Sequence, residues 1–71
     1  MPSDADIGRV VRLEMWEQQV TQTEVAELIG GRQEQVSRSL RGQRAFKVQE
    51  LAMIAWLFDM TIDDLIGKAS R

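Results

Sequence analysis

Between Lys47 and Phe58 apolar side chains recur at Val48, Leu51, Ala52, Ile54, Ala55 and Phe58. That three-to-four-residue spacing predicts a helix with one face turned to a core. The same spacing marks Val36 and Leu40 as the inward side of a shorter helix from Gln33 to Arg41, with Gly42 as its stop. A third segment, Val25, Ala26, Leu28 and Ile29, follows Thr21 and Glu24, whose three-residue separation is that of a capping box. Gly30 then suits the left-handed position that ends a helix. Ser3 with Asp6 predicts a first helix running to about Gln18, and Thr61 with Asp64 a last one ending at Gly67. The single proline, Pro2, interrupts none of them, and no segment alternates with the period of a strand. Gly30-Gly31, Gly42 and Gly67 read as punctuation between elements. The expectation is an all-α domain of five helices spanning 1–71, with short connections and no repeat, linker or low-complexity segment.

Composition narrows this picture. A chain of 71 residues buries only about 60% of the surface its unfolded form exposes. It has no cysteine and no histidine, so neither disulfides nor thiolate–zinc sites staple it. Stability has to come from helix packing, self-association or both. With 44% hydrophobic residues it is too apolar for disorder. No apolar run approaches the roughly 20 residues of a membrane span, and the acidic start Met1-Pro2-Ser3-Asp4 lacks a signal-peptide profile. A soluble cytoplasmic protein, with no membrane association, is expected.

Charge is distributed unevenly. From Arg32 to Lys47 lie Arg32, Arg38, Arg41, Arg44 and Lys47 against one acid, Glu34, a net +4; the rest carries −6, and the whole chain −2. An acidic total therefore hides a basic patch, the footprint expected of a protein that orients on a polyanion. Such binding depends strongly on salt.

The second and third helices are short and joined by a turn that begins with glycine, the layout of a helix-turn-helix over 21–41. "VTQTEVAELIGGRQEQVSRSLRGQRAF" followed by "VQELAMIAWLFDMTIDDLIG" resembles the phage repressor/Cro-type (XRE-like) DNA-binding family from Val20 to Leu65. The resemblance is carried by Thr21-Gln22, Val25-Ala26, Gly30, Val36-Ser37-Arg38, Gly42 with Arg44, and the Leu51, Ile54-Ala55 and Leu65 pattern. It implies a repressor-like fold whose third helix lies in the DNA major groove while the second crosses the phosphate backbone. By position, Gln22 would hold a phosphate, and Gln33, Glu34, Ser37 and Arg38 would face base edges.

Helical geometry agrees with that assignment. Gln33, Glu34, Ser37, Arg38 and Arg41 form a polar face turned away from Val36 and Leu40. Glutamine pairs with adenine and arginine with guanine, each bidentately. Arg32, Arg41, Arg44 and Lys47 suit phosphate contacts better than base reading. Other readings stand beside these: Gln22 and Gln33 also serve as helix formers, and Glu34 is as well suited to a helix dipole as to cytosine.

The chain departs from the family pattern at three points. Gly31 replaces an apolar turn residue, which predicts a looser turn. Arg32 stands where a Ser or Thr cap is common, which predicts an uncapped third helix. Met15 and Leu40 replace a buried Arg–Glu pair and are expected to meet in the core, an exchange that is often neutral. Helix four is apolar nearly all round, so Trp56, Leu57 and Met60, with Ile66, form a candidate dimer surface. Trp16 is assignable to the core or to a partner.

The function expected is sequence-specific binding of a double-stranded DNA operator by a homodimeric regulator of the repressor/Cro type, acting by occupancy on the bacterial nucleoid. No enzyme, cofactor or metal role is expected, since Asp63-Asp64 reads as an acidic first helical turn. The alternatives are an antitoxin that binds a toxin protein through its second apolar surface, and an N-terminal domain joined to a further C-terminal domain.

Overall fold

The computed structural model describes residues 2–70; Met1 and Arg71, the ends of the expected 1–71 domain, lie outside them. Five helices follow one another: α1 (Asp4–Gln18), α2 (Gln22–Ile29), α3 (Gln33–Leu40), α4 (Val48–Leu57) and α5 (Ile62–Ala69). No strand occurs among the described residues. This is the all-α, five-helix arrangement with a central helix-turn-helix that the sequence predicts.

Three helix starts are closed by the expected capping boxes. Ser3 Oγ accepts the Asp6 N–H at 3.1 Å while Asp6 accepts the Ser3 N–H at 3.2 Å. Thr21 with Glu24 and Thr61 with Asp64 repeat the exchange. These bonds hold the carboxyls of Asp6 and Asp64 below the usual carboxylate range, the backbone N–H of Ser3 and of Thr61 being the larger cause in each case.

Four helix ends share one closure, in which an N–H returns to the carbonyl five residues back. The pairs are Val20 to Met15, Gly31 to Ala26, Gln43 to Arg38 and Met60 to Ala55, each 2.9 Å. A left-handed residue precedes every one of these donors: Gln19, Gly30, Gly42 and Asp59, with φ of 56°, 70°, 76° and 56°. Glycine occupies only two of the four sites.

α1 packs on α3 and α5, α2 on α3 and α4, and α4 on α5. Val11, Val25, Val36, Ile54 and Leu65 are completely buried at the centre, each stabilising the fold by about 1.5–3 kcal/mol relative to exposure. Met15 and Leu40 belong to the same core cluster. α1 comes so close to the end of α3 that a Cβ on Gly8 would meet the carbonyl oxygens of Leu40 and Ser39, the latter at 2.7 Å. Glu14, buried on the α5 side of α1, receives Lys68 Nζ at 2.6 Å and Gln18 Nε2 at 3.3 Å.

Two sequence expectations need correction, and one open assignment is decided. Gly67 does not stop α5, which continues to Ala69 and closes on Ser70. Val48 has core-like spacing but is 72% exposed, and Ala52 is exposed too, because both lie on the Trp56 side of α4, beside the buried stripe of Leu51, Ile54, Ala55 and Phe58. Trp16 is 82% exposed and so is no core residue.

Candidate nucleic-acid interface

α3 is held from one side only. Val36, Ser39 and Leu40 are buried, whereas Gln33, Glu34, Arg38 and Arg41 stand exposed and Ser37 is half-buried between them. The interior thus fixes the helix while its polar row faces outward, as the 3.6-residue period requires.

Arg32 is the N-cap of α3 and, as expected, makes no side-chain cap bond. A residue the sequence reading passed over partly compensates: Gln35 Oε1 accepts the Arg32 N–H at 3.1 Å. A Cβ on Gly31 would lie 2.8 Å from that same oxygen, so glycine leaves room for it. The turn is therefore not loose. It is closed by the Gly31 N–H bond to Ala26 and by the Gln35 bond. The Thr-x-x-Glu pattern that marks α2 recurs here as Arg32-x-x-Gln35, and that spacing was the available signal.

Basic residues surround α3 unevenly. Arg32, Arg38, Arg41 and Lys47 are exposed. Arg44, expected beside them as a phosphate contact, is instead half-buried and turned inward. Its Nη1 and Nη2 donate to Glu50 Oε1 and Oε2 at 3.2 and 3.1 Å, and Nη1 also reaches Ser39 Oγ at 2.9 Å. Glu50 Oε1 in turn accepts the Lys47 N–H at 2.9 Å, closing the start of α4. Partial burial pushes the Glu50 carboxyl up, but hydrogen bonds from Arg44 and Lys47, with the charges of both, hold it below its ordinary value. The structure thus places Arg44 in the support of the loop between α3 and α4.

Gln22 opens α2 as its first helical residue and is half-buried. The first-turn N–H groups of such a helix have no intrahelical acceptor and favour anions. Away from this side, Trp56 is 73% exposed, while Leu57 and Met60 are partly buried against the protein's own core and Ile66 is half-buried. Among the described residues no group of three potential ligands could hold a metal ion. Nor, among the described residues, is any helix long and apolar enough to cross a membrane.

Two solved structures superpose closely on this arrangement. One is the clp gene regulator ClgR from C. glutamicum, with a TM-score of 0.83 and 21% identity over 94% of this chain and 87% of that one. The other is the restriction-modification controller protein C.AhdI from Aeromonas hydrophila, with a TM-score of 0.77 and 22% identity over 87% of this chain and 94% of that one. The chain has the fold of these two regulators. No protein-family model matches it, and no curated protein does. The fold is thus built here with Met15 and Leu40 in one apolar core cluster, and with Gln35 holding the N–H of the N-cap residue of α3.

Proposed function

We propose that this protein is a sequence-specific, double-stranded DNA-binding transcriptional regulator of the repressor/Cro type, which occupies an operator on the bacterial nucleoid. The observation that carries the reading is the outward polar row of α3, Gln33, Glu34, Ser37 and Arg38, on a helix locked from behind by Val36 and Leu40. Glutamine and arginine at those positions have the donor and acceptor geometry to read adenine and guanine in the major groove. Arg32, Arg41 and Lys47, with Gln22 at the start of α2, supply contacts to phosphates, which set register rather than sequence. The likeness to two proteins described as a gene regulator and a restriction-modification controller supports the same class. Occupancy alone accounts for regulation, so the reading requires no catalytic group.

The protein acts as a homodimer, with Trp56 at the centre of the contact. Its 73% exposure, beside the half-buried Leu57, Met60 and Ile66, supports that surface, and a dimer would present two α3 helices to half-sites about 34 Å apart. The same exposed tryptophan favours one second reading, an antitoxin that binds a toxin there and represses its own operon.

Selection of bound sequences from random duplex DNA at defined salt tests the proposal. A two-fold symmetric motif is expected. Recovery of no enriched sequence would reject sequence-specific binding.

A further inference from the structure

Val36 is completely buried beneath α3, and Glu34 and Arg38 stand two residues before and after it. At about 100° per residue each of the two points about 160° away from Val36, further outward than Gln33 or Ser37. Both are exposed. They are opposite in charge and one turn apart, the spacing at which helical ion pairs form. Yet among the described residues neither side chain takes part in an ion pair or a hydrogen bond. Nor does Glu34 close the helix start, since that task belongs to Gln35, whose Oε1 holds the Arg32 N–H at 3.1 Å. Glu34 is the one acid between Arg32 and Lys47, and it stands among the exposed Arg32, Arg38, Arg41 and Lys47 with its carboxylate unengaged.

A free carboxylate at that point is selective about what it meets. It repels phosphates and the acceptors that line the major groove: N7 and O6 of guanine, N7 of adenine and O4 of thymine. Only adenine N6 and cytosine N4 offer donors there. Adenine N6 stands beside the repelling N7, whereas cytosine presents its donor with no acceptor on the same base edge. We propose that Glu34 reads a cytosine in the operator and determines specificity at that position by rejecting the other three bases. Four residues of helix rise about 6 Å, close to two base-pair steps of about 3.4 Å. The cytosine therefore lies about two base pairs from the guanine that Arg38 reads. Where no cytosine is in place, the same carboxylate weakens the hold of its basic neighbours on the duplex, so random DNA is bound less tightly.

The cytosine assignment rests on the DNA-binding reading, and paired selections separate the two. Bound sequences are selected from random duplex DNA by the intact protein and by Glu34→Gln, whose folding is checked by circular dichroism. The wild-type motif should hold cytosine at one fixed position. Glu34→Gln should exchange that cytosine for adenine, which glutamine pairs bidentately. The rest of the motif should stay unchanged, and random duplex should be bound more tightly. In direct titrations a wrong base at that position should cost the wild type about 5- to 150-fold in affinity. N4-methylcytosine, whose methyl group replaces the hydrogen offered to the groove, should cost it a similar factor, and Glu34→Ala should respond to neither change. If wild type and Glu34→Gln select the same motif, Glu34 serves only the helix dipole and the inference fails alone. If the wild type selects no motif, the DNA reading fails and takes the inference with it.

Discussion

Arg44 and Glu50 face each other through two parallel hydrogen bonds, 3.2 and 3.1 Å long, and the same guanidinium reaches the fully buried Ser39. The side chain of one loop residue thus ties the end of α3 to the start of α4. Removing it leaves a largely buried carboxylate without its cation and Ser39 Oγ without its donor. Arg44→Ala should destabilise the fold by about 2–3 kcal/mol, lowering Tm by roughly 8–24 °C in a chain of this size. Thermal unfolding followed by circular dichroism measures it, and a change of only a degree or two would show the pair to be decorative.

Acid should unfold the protein and alkali up to about pH 9 should not. Glu50, Asp6 and Asp64 all have carboxyls held below their ordinary values. A group whose folded value is depressed stabilises the protein above its unfolded value, near 4 for carboxylates, and that stabilisation is lost as pH falls through the folded value. With no histidine and no cysteine in the chain, no side chain of ordinary pKa titrates between pH 5 and 9. Urea midpoints should therefore be flat across that range and fall below about pH 4. Glu50→Gln should flatten the acid limb; an acid limb of unchanged steepness would assign the effect to other carboxylates.

Two glycines within helices should respond oppositely to alanine. At Gly8 the new methyl would press on backbone carbonyls of α3 that have no room to move, whereas at Gly67 nothing lies within 4 Å. Gly8→Ala should cost about 1–3 kcal/mol through overpacking, and Gly67→Ala should stabilise by about 0.5–1 kcal/mol through helix propensity. Paired urea denaturation curves decide this, and equal signs would contradict the packing described.

On the DNA side, Arg38→Ala should weaken binding to the selected operator by about 1–3 kcal/mol, the worth of a bidentate base contact, and random duplex much less. Competition titrations on the two duplexes report the difference. Equal losses would reduce Arg38 to a phosphate contact.

Trp56→Ala should shift the mass seen by sedimentation equilibrium toward the monomer at a fixed micromolar concentration. A wild type that is monomeric under those conditions and on its operator would remove Trp56 from the dimer contact.

The starts of α1, α2 and α5 were legible in the sequence because a capping box is local: donor and acceptor stand three residues apart at Ser3, Thr21 and Thr61. The polar row of α3 was legible because helical period fixes what lies opposite Val36 and Leu40. What escaped depends on how elements cross. Arg44 looks like any loop arginine until α4 brings Glu50 beside it, and Glu14 meets Lys68 across 54 positions of chain. Gln19 and Asp59 carry no glycine signal, yet both adopt the left-handed conformation that lets the next N–H return to Met15 and Ala55. Val48 shows the converse failure, a core-like spacing with no neighbouring helix to cover it.

The hydrogen that stands for a side chain at Gly8 also acts as a gauge. Because α1 rests directly on the carbonyls of Ser39 and Leu40, the two helices can neither slide nor spread without losing that seat. The polar row of α3 is therefore presented from a fixed seat on α1. Any ligand that row meets finds it already in place, so little freedom is left to be frozen out on binding.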